Sequence, residues 1–141
     1  MNSDIESLLP HREPFLFVDE IIEASEEKLV VKHVFTEKEF FFKGHFPQYP
    51  VVPGVILIET MAQSGGAGLR KLGIIGGGSL FFLATIDKVK FRRQVRPGEE
   101  VRSEIQNLRI SQKMIKQHGK AYVGDELAAE AEWMCIIAEK L

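Results

Sequence analysis

The chain has 141 residues, enough for one domain with a sizeable core. Its 18 Lys and Arg against 20 Asp and Glu leave a formal charge of -2, which removes the electrostatic case for bulk nucleic-acid binding. A single cysteine, Cys135, excludes an internal disulfide, and no uninterrupted apolar run approaches the ~18 residues of a membrane span. With an acidic N-terminus that lacks a signal-peptide pattern, this predicts a soluble cytoplasmic protein.

No internal repeat or low-complexity linker divides residues 1–141, so a single domain is expected. Phe15 to Ile22 reads as a strand ended by the polar turn Ser25-Glu26-Glu27-Lys28. Leu29 to Phe35 alternates, with Leu29, Val31, His33 and Phe35 on one face of a half-buried strand. Glu37 to Val52 is irregular, because Pro47 and Pro50 exclude regular helix and central strand.

Pro53 opens a helix, a position where its missing N–H is harmless. The pattern predicts helix from Gly54 to about Lys71, stopping at Gly73 with Arg70 and Lys71 favourable at its negative end. Val55, Ile56, Leu57, Ile58, Met61 and Ala62 leave no broad polar face, so the helix is expected to be buried on most sides. Gly65, Gly66 and Gly68 weaken it and predict close approach by another backbone. After the loop Gly76–Gly78, strands are expected over Phe81–Val95, Val101–Met114, Lys116–Val123 and Leu127–Ala138, with turns at Arg96-Pro97-Gly98-Glu99 and Gly124-Asp125. Residue propensity reads Asp125–Lys140 as helix, whereas Leu127, Ala129, Ala131, Trp133, Cys135 and Ile137 form one strand face.

The densest functional signal lies in residues 44–63. His45 sits in the proline-punctuated loop, and Glu59 is a lone carboxylate in the apolar helix. Imidazole is the side chain suited to take a proton near neutral pH. A glutamate works as an acid there only if it keeps its proton, and burial beside Val55, Ile56 and Ala62 predicts a raised pKa for Glu59. Gln63, one helical turn on, is placed to hydrogen-bond Glu59. Gly54 and Val55 contribute helix-start N–H groups backed by the positive end of the dipole, the elements of an oxyanion hole.

Gly44-His45-Phe46-Pro47, Val52-Pro53-Gly54-Val55 and Glu59 with Gln63 resemble the β-hydroxyacyl-acyl-carrier-protein dehydratases of type II fatty-acid synthesis. Leu9–Asp19 is similar to that family's N-terminal signature, and Leu83–Arg93 with Val95–Glu99 to its later segment. The resemblance implies an α+β hot-dog fold, a curved antiparallel sheet wrapped around one central helix, which selects strand for the C-terminal segment. It implies dehydration of (3R)-3-hydroxyacyl-acyl-carrier protein to the trans-2-enoyl form in fatty-acid elongation, with the same intermediates feeding lipid A synthesis. His45 is then the base, Glu59 the acid, Gln63 its orienting partner, and the Val51 carbonyl the group that fixes the His45 tautomer. It implies no metal and no organic cofactor. It further implies a homodimer in which His45 of one subunit meets Glu59 of the other, often assembled into a hexamer. The glutamate at the helix position is similar to the dehydratase-only type, since dehydratase-isomerases carry aspartate there. Glu13, the order Gly124-Asp125 and the Met114–Gly119 region depart from the family pattern.

Other residues carry two readings. Lys88, Lys90, Arg92, Arg93 and Arg96 form the densest basic run, either a solvated sheet edge or a dock for acidic acyl carrier protein. Phe40, Phe41, Phe42, Phe81 and Phe82 fit an acyl tunnel or core packing. His11 is expected to shape its loop, His33 to belong to the sheet and His118 to a polar turn; Cys135 reads as a small apolar strand residue. The competing activity is thioester hydrolysis on the same fold.

Overall fold

Six antiparallel strands curve around one long helix in the structure, a computed structural model that describes residues 2–139. Met1, Lys140 and Leu141 lie outside that range. The elements are α1 (Asn2–Leu8), β1 (Glu20–Ala24), β2 (Leu29–Val34), a 3-10 turn (Phe40–Lys43), α2 (Gly54–Lys71), β3 (Ser79–Phe91), β4 (Glu100–Ile110), β5 (Met114–Val123) and β6 (Glu126–Glu139). The sheet runs in the order β1-β2-β4-β5-β6-β3, and α2 packs against all six strands. This is the expected hot-dog arrangement.

The helix starts and stops where its sequence demands. Pro53 caps it with φ -57, and Gly73 leaves it at φ 76, a left-handed conformation that suits glycine. From Ile56 to Leu69 every residue except Glu59 is buried. Its buried hydroxyls are satisfied within the helix: Thr60 donates to the Ile56 carbonyl at 2.7 Å and Ser64 to the Thr60 carbonyl at 2.7 Å.

The three helix glycines admit side chains, not the backbone that their clustering suggested. Gln117 of β5 fills the space beside Gly65, the Phe81 ring lies on Gly66, and a Cβ at Gly68 would stand 2.8 Å from Leu29. Gln117 is fully buried yet satisfied. Its Nε2 donates to Asn107 Oδ1 at 2.8 Å, and its Oε1 accepts from Trp133 Nε1 at 3.1 Å. Without the gap at Gly65, this link between β4, β5 and β6 has no room.

Tertiary burial overrides helix propensity in β6. The strand lies between β5 and β3 and turns Ala129, Ala131, Trp133 and Cys135 into the core beneath α2. Two local expectations fail. Phe15–Asp19 is not strand: its Leu16, Phe17 and Val18 are buried, but the backbone at Phe15 and Phe17 bonds to the Gln63 side chain instead of a neighbouring strand. His118 is not in a turn but in β5, opposite Glu132 of β6: the polar Lys116–His118 stretch is paired strand backbone. Among the described residues no helix is long and apolar enough to cross a membrane.

Candidate active site

His45 is held by its own loop. The Phe40–Lys43 turn feeds into it, with the His45 N–H donating to the Phe41 carbonyl at 2.9 Å, and the chain then reverses through Phe46 at φ 53. His45 Nδ1 lies 3.0 Å from the Val51 carbonyl. A carbonyl only accepts, so Nδ1 carries a proton, and in the neutral ring the lone pair is on Nε2, free to take an incoming proton. The ring lines a cleft of about 540 Å³ with Val51, Gly54, Val55 and Phe91.

The start of α2 forms one wall of that cleft. Ile56 and Leu57 both donate to the Pro53 carbonyl, at 2.9 and 3.3 Å, so the N–H groups of Gly54 and Val55 precede the first intrahelical bonds. A Cβ at Gly54 would stand 2.8 Å from the Phe91 ring, which is why the helix begins on glycine here. Val55 points outward, 71% exposed, the largest exposure on the apolar face of this helix end.

Glu59, one turn beyond Val55 on α2, does not line the His45 cleft of the same protomer. Its Oε2 accepts from Gln63 Nε2 at 2.9 Å. Gln63 is itself immobilised: its Oε1 accepts from the Phe17 N–H at 2.8 Å, and its Nε2 also donates to the Phe15 carbonyl at 3.0 Å. Burial pushes the Glu59 pKa up, with the Gln63 hydrogen bond opposing in part. This is the neutral-leaning carboxyl that the apolar helix predicted. His11 Nε2 lies 3.6 Å from the same carboxyl oxygen, and burial together with the Arg12 charge lowers the His11 pKa. That closeness was not legible in the sequence, where nothing in the spacing of residues 11 and 59 links them. The backbone strap at Phe15–Phe17 was missed for the same reason.

The basic run straddles the site and the sheet edge. Lys88, Lys90, Arg92 and Arg96 are exposed and Arg93 half-buried. Several are matched by acids of their own chain: Lys88 to Glu132 at 3.3 Å, Arg92 to Glu130 at 3.4 Å and Arg93 to Glu99 at 2.8 Å. Arg92 and Arg93 also border the His45 cleft. Phe41 and Phe42 are buried, and Phe81 packs on α2, whereas Phe40 and Phe82 are 46% and 54% exposed. Cys135 is buried, and burial with the nearby Glu59 charge pushes its thiol up to about 12, the setting of an inert structural cysteine.

The FabA-like domain model matches residues 9–132. A 3-hydroxyacyl-(acyl-carrier-protein) dehydratase FabZ of Desulforamulus reducens is 50% identical over 138 residues, 96% of each chain. The protein of the same name from Pelotomaculum thermopropionicum is 46% identical over 134 residues, 94% of each chain. Among solved structures, a chain of the dehydratase heterocomplex ApeI:P from Xenorhabdus doucetiae matches with a TM-score of 0.81 over 96% of this chain and 91% of its own, at 17% identity, a likeness of fold. Matched by the family model over most of its length and by relatives of this identity end to end, the chain belongs to the FabA-like domain family.

Proposed function

We propose that His45 and Glu59 dehydrate (3R)-3-hydroxyacyl-acyl-carrier protein to the trans-2-enoyl thioester, with no cofactor. The curated relatives carry the name of this activity across nearly their whole length, and the chain is a dehydratase, a hydro-lyase, of fatty-acid elongation. His45 Nε2 takes the Cα proton, Glu59 protonates the departing β-hydroxyl, and the N–H groups of Gly54 and Val55 hold the thioester oxygen as negative charge builds on it. General acid and base groups of this kind each contribute about 10²- to 10⁴-fold, and one oxyanion donor about 3 kcal/mol. The observation that carries the assignment is the Nδ1–Val51 bond, which leaves Nε2 basic beside the helix start.

In one protomer the cleft around His45 lacks Glu59, which supports a site shared between two copies. The candidate seam is β3. It pairs with β6 on one side only, runs 13 residues, and exposes Phe82, Leu83 and Ile86. A long apolar edge strand is a template for pairing with a second chain, so a homodimer built through β3 would complete both sites, and the family resemblance implies further assembly to a hexamer. Arg92 and Arg93 at the cleft, with Arg96, Lys88 and Lys90 close by in the chain, form a basic patch suited to acidic acyl carrier protein. The proposed compartment is the cytoplasm, where the substrate is made.

Thioester hydrolysis is not favoured. The deciding assay follows enoyl absorbance and free thiol on one hydroxyacyl-carrier-protein substrate. Enoyl product without thiol release is expected from the wild type, and thiol release without enoyl product overturns the assignment.

A further inference from the structure

Outside the residues assigned to catalysis, a charged cluster is centred on the buried His33 of β2. The ring is buried, with Nδ1 2.8 Å from Asp19 Oδ1 and Nε2 3.0 Å from Glu39 Oε2. Carboxylates only accept, so both ring nitrogens donate and the imidazole is a cation. Burial alone would lower its pKa, but hydrogen bonds and charge from Asp19 and Glu39 outweigh that and lift it to about 9. The Phe35 ring meets it edge-on at 4.6 Å. Glu13 and Lys38 line the small cavity beside it, while neighbouring Lys32 turns to Glu20 and Glu100.

The two carboxylates belong to the segments that hold the two candidate catalytic side chains. Asp19 ends the strap whose Phe15 carbonyl and Phe17 N–H fix Gln63, and Gln63 holds Glu59. The second Asp19 oxygen accepts from the Val34 N–H at 2.8 Å, so the end of the strap is fastened to β2. Glu39 immediately precedes the Phe40–Lys43 turn, whose Phe41 carbonyl receives the His45 N–H. A buried ion triad is a weak source of stability, because desolvation offsets most of its attraction. What it supplies is register between the segments it joins.

We propose that His33 is a positioning residue for the dehydration: its cation ties the strap that presents Glu59 to the loop that presents His45. The proposal rests on the assignment of His45 and Glu59 above. In a dimer with shared sites, the strap and loop of one protomer serve different sites, and His33 links the two.

The test is steady-state kinetics of the full chain carrying His33→Gln or His33→Lys, with imidazole NMR of the wild type. Lysine keeps a cation between the carboxylates, whereas glutamine keeps only a neutral donor. Misplacement of about an ångström costs up to about 100-fold, so His33→Gln is expected to lower kcat at least about tenfold with little change in KM. His33→Lys is expected to recover most of that loss, and the wild-type ring to stay doubly protonated at neutral pH. Wild-type kcat in folded His33→Gln, a His33→Lys enzyme as impaired as His33→Gln, or a ring titrating like an ordinary histidine near pH 6.5 overturns the proposal. Where His33→Gln fails to fold, Asp19→Asn and Glu39→Gln take its place, and unchanged kcat in both overturns it. A different pattern marks failure of the site assignment itself: no enoyl product from the wild type, or full activity in Glu59→Gln.

Discussion

Gln63 donates to Glu59 at 2.9 Å with an amide whose other contacts, to Phe15 and Phe17, leave it a single orientation. The acid is therefore aimed by a backbone strap more than forty residues away in sequence, through one side chain.

Replacing Glu59 by Gln keeps the shape and the contact with Gln63 but cannot deliver a proton. Turnover is expected to fall by about 10²- to 10⁴-fold, with the melting temperature close to wild type. Enoyl absorbance checks it, and a Glu59→Gln enzyme within a few-fold of wild type removes Glu59 from the mechanism.

The raised Glu59 pKa sets a pH dependence. Only the protonated carboxyl donates, so on the alkaline side of the profile kcat is expected to fall as pH rises through that pKa. The Gln63 hydrogen bond favours the anion and so lowers the pKa, hence Gln63→Leu moves this alkaline limb upward. The same change strands the Phe17 N–H and is expected to destabilise the fold by about 1–3 kcal/mol. A pH–rate profile and a urea midpoint measure the two effects separately; an unmoved limb contradicts the first.

Gly65→Ala places a methyl against the Gln117 carboxamide. Overpacking, with loss of the Trp133–Gln117 bond, is expected to destabilise by about 2–4 kcal/mol. Chemical denaturation followed by Trp133 fluorescence is the measurement, and a wild-type midpoint refutes the packing account.

His33 makes stability depend on pH in the opposite sense to a paired carboxylate. Its folded pKa of about 9 lies above the ordinary value of 6.5, so its contribution is full below about pH 6.5 and lost as pH rises through about 9. The linkage is on the order of 3 kcal/mol at most. The stability gap between wild type and His33→Gln, read from denaturation curves, is expected to narrow across that window; a constant gap argues against a buried cation.

Several elements were legible because a local cause dictates them. Pro53 and Gly73 bracket α2, and the absence of a polar face between Ile56 and Leu69 marks it as the buried centre of the sheet. Alternation exposes β2, and the loop histidine with one helical carboxylate names the candidate chemistry. The extended run at Phe15 misled because apolar, β-branched and aromatic residues also serve a strap whose hydrogen-bonding partner is a side chain. Propensity alone reads Ala-rich β6 as helix, and the strand expected from its alternating apolar face is the one that forms, because its burial between β5 and β3 is set by residues far along the chain.

Chain order alone thus dictates where the helix begins, which residues face inward, and which acid and base are available, since each depends on neighbours within a turn or two. The grip of Phe15 and Phe17 on Gln63, the His11–Glu59 approach, the His33 clasp and the Gln117–Trp133 bond depend on folding, because each joins segments that meet only when the sheet closes around α2.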